Sequence, residues 1–317
     1  VQSTLLLLLG LGLLIKGADL LVDGAIAIAS RARIPPMVVG LTIVSFGTSM
    51  PELLVTMISG LQHNADLAVA NVIGSNIANV LLVLGIAAVI RPLPIGDATV
   101  VTEVPFSLTA ALLVGFLANA SLFGSPELTI SRLDGFVLLF FFLLFMLYVY
   151  KVSLEGRGVV MPGAEPMTTR RAVTYVVISV VLLYLGGSLV VSAAVDLAQA
   201  LGVGDALIGL TVVAVGTSTP EIVASAMAAR RGQADVAVGN VVGSNIFNLL
   251  WILGSTSAIV ELPFEVISNT DLVMVIAASS LVILALVSSR RRAIMRWHGV
   301  LFILLYCAYV VYAVRRG

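Results

Sequence analysis

Ten runs of about 18 or more mainly apolar residues follow one another along this chain, near 4–29, 36–60, 66–90, 100–120, 132–150, 172–200, 205–229, 235–260, 271–289 and 297–314. Each is long enough to cross roughly 30 Å of hydrocarbon as a helix. The fold class that follows is an all-α polytopic membrane protein with ten transmembrane helices. A β-barrel is excluded, because barrel strands alternate apolar and polar residues over segments of about ten. The chain is 60% hydrophobic and 11% charged over 317 residues, with mean hydropathy +1.13, which excludes a soluble domain of this length. The first run lacks a basic leader and a small-residue cleavage site and continues through Gly17 and Ala18, so it reads as a structural helix and not as a secretory signal.

A net charge of zero hides an asymmetry. With ten spans laid down, 13 of the 17 basic residues share one side, among them Arg31, Arg33, Arg91, Lys151, Arg230, Arg231, Arg291 and Arg296. Excess Lys and Arg marks the cytoplasmic side, so both termini are expected outside. The lone Cys307 provides no disulfide framework or Cys-based metal site.

Two polar motifs interrupt the apolar runs. GTSMPE at 47–52 recurs as GTSTPE at 216–221, 169 residues later, and the same offset carries Asn71–Asn79 onto Asn240–Asn248. The chain reads as a duplicated unit: residues 1–150, a polar cytoplasmic linker at 151–171 rich in Gly and Pro, and residues 172–317. Five spans per unit is an odd number, so the second unit enters the membrane in the opposite sense. Inverted repeats place a transporter's site at their interface near mid-membrane.

Pro51 and Pro220 remove a backbone donor and break or kink their helices, and irregular backbone survives at membrane depth only where it lines a cavity or is buried in protein. Glu52 and Glu221 directly follow those breaks. Thr48, Glu52 and Thr56 fall on one helical face, as do Thr217, Glu221 and Ser225. Asn71, Ser75 and Asn79 form a second stripe, matched by Asn240, Ser244 and Asn248, whereas Asn76 and Asn245 lie off it and are expected to satisfy neighbouring backbone. Two carboxylates at mid-membrane, each costing roughly 2.5–3.5 kcal/mol to insert, point to a polar cation cavity over helix-packing hydrogen bonds. The stripe asparagines are open to either role, ligand or interhelical glue. An all-oxygen cage suits a hard cation such as Ca²⁺; softer metals favour His or Cys, and His63 and His298 lie in or near loops. Gly74 and Gly243 are expected to permit close helix approach. Lys16, Asp19 and Asp23 read as a local ion-pair set, and the run Phe136–Tyr148 as a lipid-facing helix with Tyr148 and Tyr150 as interface anchors.

At these motifs the sequence resembles the sodium/calcium exchanger family of the cation/calcium antiporter superfamily. The resemblance implies ten helices in inverted halves and a substrate site between the second, third, seventh and eighth. It implies Glu52 and Glu221 as central Ca²⁺ ligands, backbone carbonyls of Thr48 and Thr217 beside them, and Asn79 and Asn248 completing the layer. Ser49, Ser75, Ser218, Ser244 and the carbonyls of Ser45 and Ala214 are implied as Na⁺ ligands. Proton-coupled relatives usually carry G-N-x-x-E in place of G-T-S-x-P-E. Asn248 stands where potassium-dependent relatives carry Asp, which removes one charge from a K⁺ site.

The expected activity is Na⁺/Ca²⁺ antiport, with H⁺-coupled or K⁺-dependent Ca²⁺ antiport as the alternative. Ca²⁺ and Na⁺ are substrates; no cofactor, nucleic acid or obligatory protein partner is expected. An intramembrane enzyme would need a nucleophile with its base or a metal cluster, and no helical His lies near the serines. A channel is disfavoured by the inverted duplication.

Overall fold

The computed structural model describes residues 2–96, 102–119, 128–155, 167–200, 214–264, 266–289 and 292–316. Ser125, Gly163, Arg290, Arg291, the linker residues 156–166 and the start of the seventh apolar run lie outside the described residues. The helices are α1 (Gln2–Ala32), α2 (Pro36–Thr48), α3 (Met50–Leu61), α4 (Ala65–Ile90), α5 (Val104–Asn119), α6 (Arg132–Glu155), α7 (Thr169–Ala200), α8 (Ala214–Thr217), α9 (Thr219–Arg230), α10 (Ala234–Ile259), α11 (Val266–Ser288) and α12 (Arg296–Arg316). Seven of these are long and apolar enough to cross a membrane, and α2 with α3, bent by 50° across Ser49, makes an eighth. The 16-residue α5 is apolar but shorter.

Elements recur at the offset of 169 residues seen in the sequence. It carries α3 onto α9, and the two-residue strand β1 (Leu93–Pro94) onto β3 (Leu262–Pro263). The strands pair across the halves: β1 with β4 (Ala293–Ile294), and β2 (Thr129–Ile130) with β3, both antiparallel. The fifth apolar helix of each half also packs on the third of the other, α6 against the end of α10 and α12 against the end of α4. The halves are therefore interlocked and do not merely abut.

Burial is graded from the centre outward. In α10, 94% of the most apolar stretch is buried and in α4 72%, against 17% in α6. The two helices with the Asn-Ser-Asn stripes thus form the core, which is why an apolar exterior and a polar interior coexist. α1 and α7 run antiparallel in close contact, because Gly10 and Gly186 face each other: a Cβ on either would lie 2.9 or 2.8 Å from the other's carbonyl oxygen. Gly243 likewise brings α10 against α2, where a Cβ would meet Ser45 Oγ at 2.7 Å. At Gly74 no described atom lies within 4 Å, and residue 210, which the offset pairs with Leu41, is outside the described residues.

Two expectations are corrected. Asp19 and Asp23 do not pair locally with Lys16; both accept from the Arg231 guanidinium, presented by the end of α9. A partner more than 200 residues away is invisible to local spacing, and the planar fork of Arg presents separate N–H groups to each carboxylate. The run Phe136–Tyr148 is lipid-facing on one side only. Phe136 and Phe140 are exposed, but Phe145 is buried and Phe142 stacks against Phe247 and Trp251 at 5.0 and 5.2 Å. Tyr148 donates its hydroxyl to Glu103 Oε1 at 2.7 Å, so it anchors a buried carboxylate as well as an interface.

Candidate cation site

Both GTSxPE motifs break their helices in the same way. Ser49 (φ −84°, ψ 8°) and Ser218 (φ −83°, ψ 4°) leave the helical region and cap the half-helices that follow, with Pro51 and Pro220 in the first turn. Proline suits that turn because its missing N–H would have had no intrahelical partner there. Each serine stands three residues before a glutamate, the spacing of a capping box, in which the hydroxyl would bond the third helical N–H. Both serines occupy the N-cap position, but neither side chain makes that bond. Ser49 Oγ instead donates to Glu221 Oε1 of the other half at 3.0 Å, and Ser218 Oγ makes no hydrogen bond of normal geometry among the described residues. The local motif has been opened, leaving its hydroxyls for the space between the halves.

The carboxylates are wholly buried. Glu52 Oε1 accepts from Ser75 Oγ at 3.5 Å, and the second oxygens of Glu52 and Glu221 have no partner among the described residues. The same is true of Ser244 Oγ and of both amide atoms of Asn79 and Asn248. Eight of the fifteen buried side-chain N and O atoms without a partner among the described residues belong to these six residues, Glu52, Asn79, Ser218, Glu221, Ser244 and Asn248. Buried polar groups are otherwise nearly always satisfied, and leaving one unpaired costs about 1–3 kcal/mol. Six of these eight atoms are oxygens, which makes these residues the candidate for a cation site.

The remaining polar residues hold this set in position. Asn71 Nδ2 donates to Thr56 Oγ1 at 2.9 Å and to the Glu52 carbonyl at 3.2 Å, and Asn240 Nδ2 to Ser225 Oγ at 2.9 Å. Thr48 Oγ1 reaches Asn240 Oδ1 at 3.1 Å, a bond between the halves, and lies 3.3 Å from the Ser45 carbonyl. Asn71 and Asn240 thus tie neighbouring helices together. Asn76 donates to the Val72 carbonyl at 2.6 Å and Asn245 to that of Asn76 at 3.5 Å, so this pair satisfies backbone. Thr48, Ser45, Ser49 and Ser75 are buried, Thr217 is half-buried, and Ala214 opens α8.

Sequence reasoning missed two features. A π-helical turn begins at Asn79 (Asn79–Val83) and another spans Phe247–Ile252, with the N–H groups of Leu84 and Leu253 reaching back to the carbonyls of Asn79 and Asn248. Each turn ends a polar stripe at its asparagine and shifts the helix register beyond it; such turns concentrate at functional sites. The paired positions of Asn79 and Asn248 are the signal that hinted at it. The second is a cavity of about 470 Å³ between α3, α7 and α8, lined by Pro51, Gln62, Ser188, Gly216 and Thr217 among others, which reaches the break of the second motif from one end of the molecule.

Comparison with known proteins identifies the family. The family described as "Sodium/calcium exchanger protein" matches residues 2–151 and 171–315. The chain is 37% identical over 317 residues to the putative antiporter CaxA of Alkalimonas amylolytica, covering 97% of each. It is 31% identical to the sodium/calcium exchanger MaX1 of Methanosarcina acetivorans, again over 97% of each. A solved structure of the sodium-calcium exchanger NCX_Mj, soaked with 10 mM Na⁺ and zero Ca²⁺, superposes with a TM-score of 0.80 at 32% identity over 98% of both chains. Together with the apolar helices, these matches make the chain an integral membrane protein of the sodium/calcium exchanger family, a family of secondary transporters and not of enzymes.

Proposed function

We propose that this protein exchanges Na⁺ for Ca²⁺ by alternating access, binding both between Glu52 and Glu221. The observation that carries this reading is the pair of buried carboxylates, each just past a helix break and each with one oxygen left over, within a group of unpartnered serine and asparagine side chains. Two carboxylates match the charge of one divalent ion, and Ca²⁺ takes six to eight oxygen ligands in flexible geometry. Glu52, Glu221, Asn79 and Asn248, with the carbonyls of Thr48 and Thr217, form the central ligand set. Ser49, Ser75, Ser218 and Ser244, with the carbonyls of Ser45 and Ala214, supply neutral pockets for Na⁺. Na⁺ is close to Ca²⁺ in size, so both compete for one cage, and a carrier that crosses only when loaded converts competition into exchange.

The architecture proposed around this site is ten spans in two inverted halves, 1–150 and 172–317, joined by a cytoplasmic linker at 151–171, with both termini outside. The strand pairing supports it: β1 and β4 both follow spans that would end in the cytoplasm, and β2 and β3 both lie on the opposite side. Single cysteines at Ser125 and Gly163 in a Cys307→Ser background should react with an impermeant reagent from opposite faces. Labelling of both from one face overturns the topology.

The decisive measurement of function is Ca²⁺ flux into liposomes containing only this protein. An outwardly directed Na⁺ gradient should drive uptake without K⁺. Uptake driven by a pH gradient in Na⁺-free liposomes, with none driven by Na⁺, establishes the proton-coupled alternative; a strict requirement for K⁺ establishes the potassium-dependent one.

A further inference from the structure

The two ends of the molecule share a backbone and differ in chemistry. α3 and α9 finish in the same hydrogen-bonded reversal: Asn64 N–H donates to Ser59 O and His63 N–H to Gly60 O, while Gln233 N–H donates to Ala228 O and Gly232 N–H to Ala229 O. His63 (φ 57°) and Gly232 (φ 77°) take the left-handed conformation that this helix ending requires. The residues just before them, Gln62 (φ −84°, ψ 6°) and Arg231 (φ −79°, ψ 0°), are therefore structural equivalents.

Arg231 grips Asp19 and Asp23, one turn apart on α1. The 169-residue offset carries these aspartates onto Ser188 and Ser192 of α7, and those two serines, with Gln62, line the open cavity of about 470 Å³. One set of three positions is charged and joined. Its equivalent is neutral, and no hydrogen bond joins its members among the described residues.

We propose that Arg231, Asp19 and Asp23 form the cytoplasmic gate of the transport cycle, and that their charge, absent from Gln62, Ser188 and Ser192, biases the carrier toward the conformation open to the outside. The inference rests on the alternating-access reading above. Arg231 binds the end of the Glu221 half-helix to α1, so access between those elements from the cytoplasm requires both ion pairs to separate. In the opposite conformation the external set closes with neutral hydrogen bonds, which are roughly half as strong as charge-assisted ones. Arg231, Asp19 and Asp23 have side-chain exposures of 29%, 35% and 41%, so solvent screens the pairs and each contributes modestly. Two together account for a shift of about tenfold in the outward-to-inward ratio, equivalent to roughly 1.4 kcal/mol.

The apparent affinity of a carrier at each face is scaled by the fraction of molecules open to that face. The readout is therefore the ratio of half-saturating Ca²⁺ concentrations, cytoplasmic over external, in oriented proteoliposomes of the full chain. Arg231→Gln should lower this ratio about tenfold, and Arg231→Lys, which keeps the charge but loses the fork, should fall between Gln and wild type. Installing the charged set outside, with Gln62→Arg, Ser188→Asp and Ser192→Asp together, should lower the ratio in the same direction. A purely structural role for Arg231 would reduce activity from both faces and leave the ratio alone, and that result overturns the proposal. So does a Lys variant no closer to wild type than the Gln variant. If Arg231→Gln fails to fold, an unchanged ratio in the external triple variant overturns it as well. Absence of Na⁺-driven Ca²⁺ flux in the wild type would instead overturn the antiport reading, and the gate with it.

Discussion

The two GTSxPE motifs are nearly identical in sequence and in backbone, yet they sit in different surroundings. At the first, Thr48 is buried and bonded to Asn240 across the halves, and Ser49 donates to the carboxylate of the opposite motif. At the second, Thr217 is half-buried and lines the cavity while keeping a partner of its own, and Ser218 Oγ makes no hydrogen bond of normal geometry among the described residues. Glu221 is held by a serine of the other half at 3.0 Å, Glu52 by one of its own half at 3.5 Å. Equal chemistry is thus placed in unequal packing: one break is bonded across the halves while the other faces a cavity.

That comparison is tested most severely at the carboxylates. Glu52→Gln and Glu221→Gln keep side-chain volume and remove half of the charge that matches a divalent ion. Ca²⁺ uptake should fall about a hundredfold or more in each, consistent with several kcal/mol for removing a buried charged partner, while the protein still elutes as a folded species. Near-normal uptake in either variant rules out a site shared equally by the two halves.

Next in size are the asparagines at the π turns. Neither amide has a partner among the described residues, so Asn79→Ala or Asn248→Ala should leave thermal stability level or raised. Apparent Ca²⁺ affinity should drop about tenfold in each, the effect of losing one oxygen ligand worth roughly 1–3 kcal/mol. A variant that loses stability and keeps affinity shows its amide to be packing and not ligand.

Thr48→Val sharpens the asymmetry itself. It should destabilise the protein by about 1–2 kcal/mol by stranding Asn240 Oδ1, with transport largely retained, since the proposed ligand at this position is the carbonyl. The smallest effects are expected one turn further on, at Thr56→Ala and Ser225→Ala. Each removes an acceptor for a stripe asparagine, worth about 0.6 kcal/mol within a membrane, and uptake should stay within about twofold of wild type. A large, one-sided effect at Thr56 or Ser225 would extend the site beyond the break.

Much of the site was legible in the sequence because its causes are local. Proline cannot donate a hydrogen bond, so Pro51 and Pro220 announced the breaks, which occur at Ser49 and Ser218. A carboxylate in an apolar run is costly wherever the run folds, so Glu52 and Glu221 stood out. The stripes ending at Asn79 and Asn248 followed from helical spacing. The pairing of Asp19 and Asp23 with Arg231 was not legible, since the nearest cation in the sequence, Lys16, is not their partner. Nor was the half-buried face of Phe142 and Phe145, because a run apolar all round does not say which side meets protein.

By itself, the sequence determined an apolar helical chain with two copies of one polar motif, and it located the charge and the breaks, because hydropathy, proline and residue spacing act within a few turns. Only the tertiary structure decided which serine holds which glutamate, where the π turns fall, which end is joined by Arg231 and which stands open. Those choices depend on how interlocked halves pack, and groups 172–212 residues apart meet only when every intervening helix has found its place.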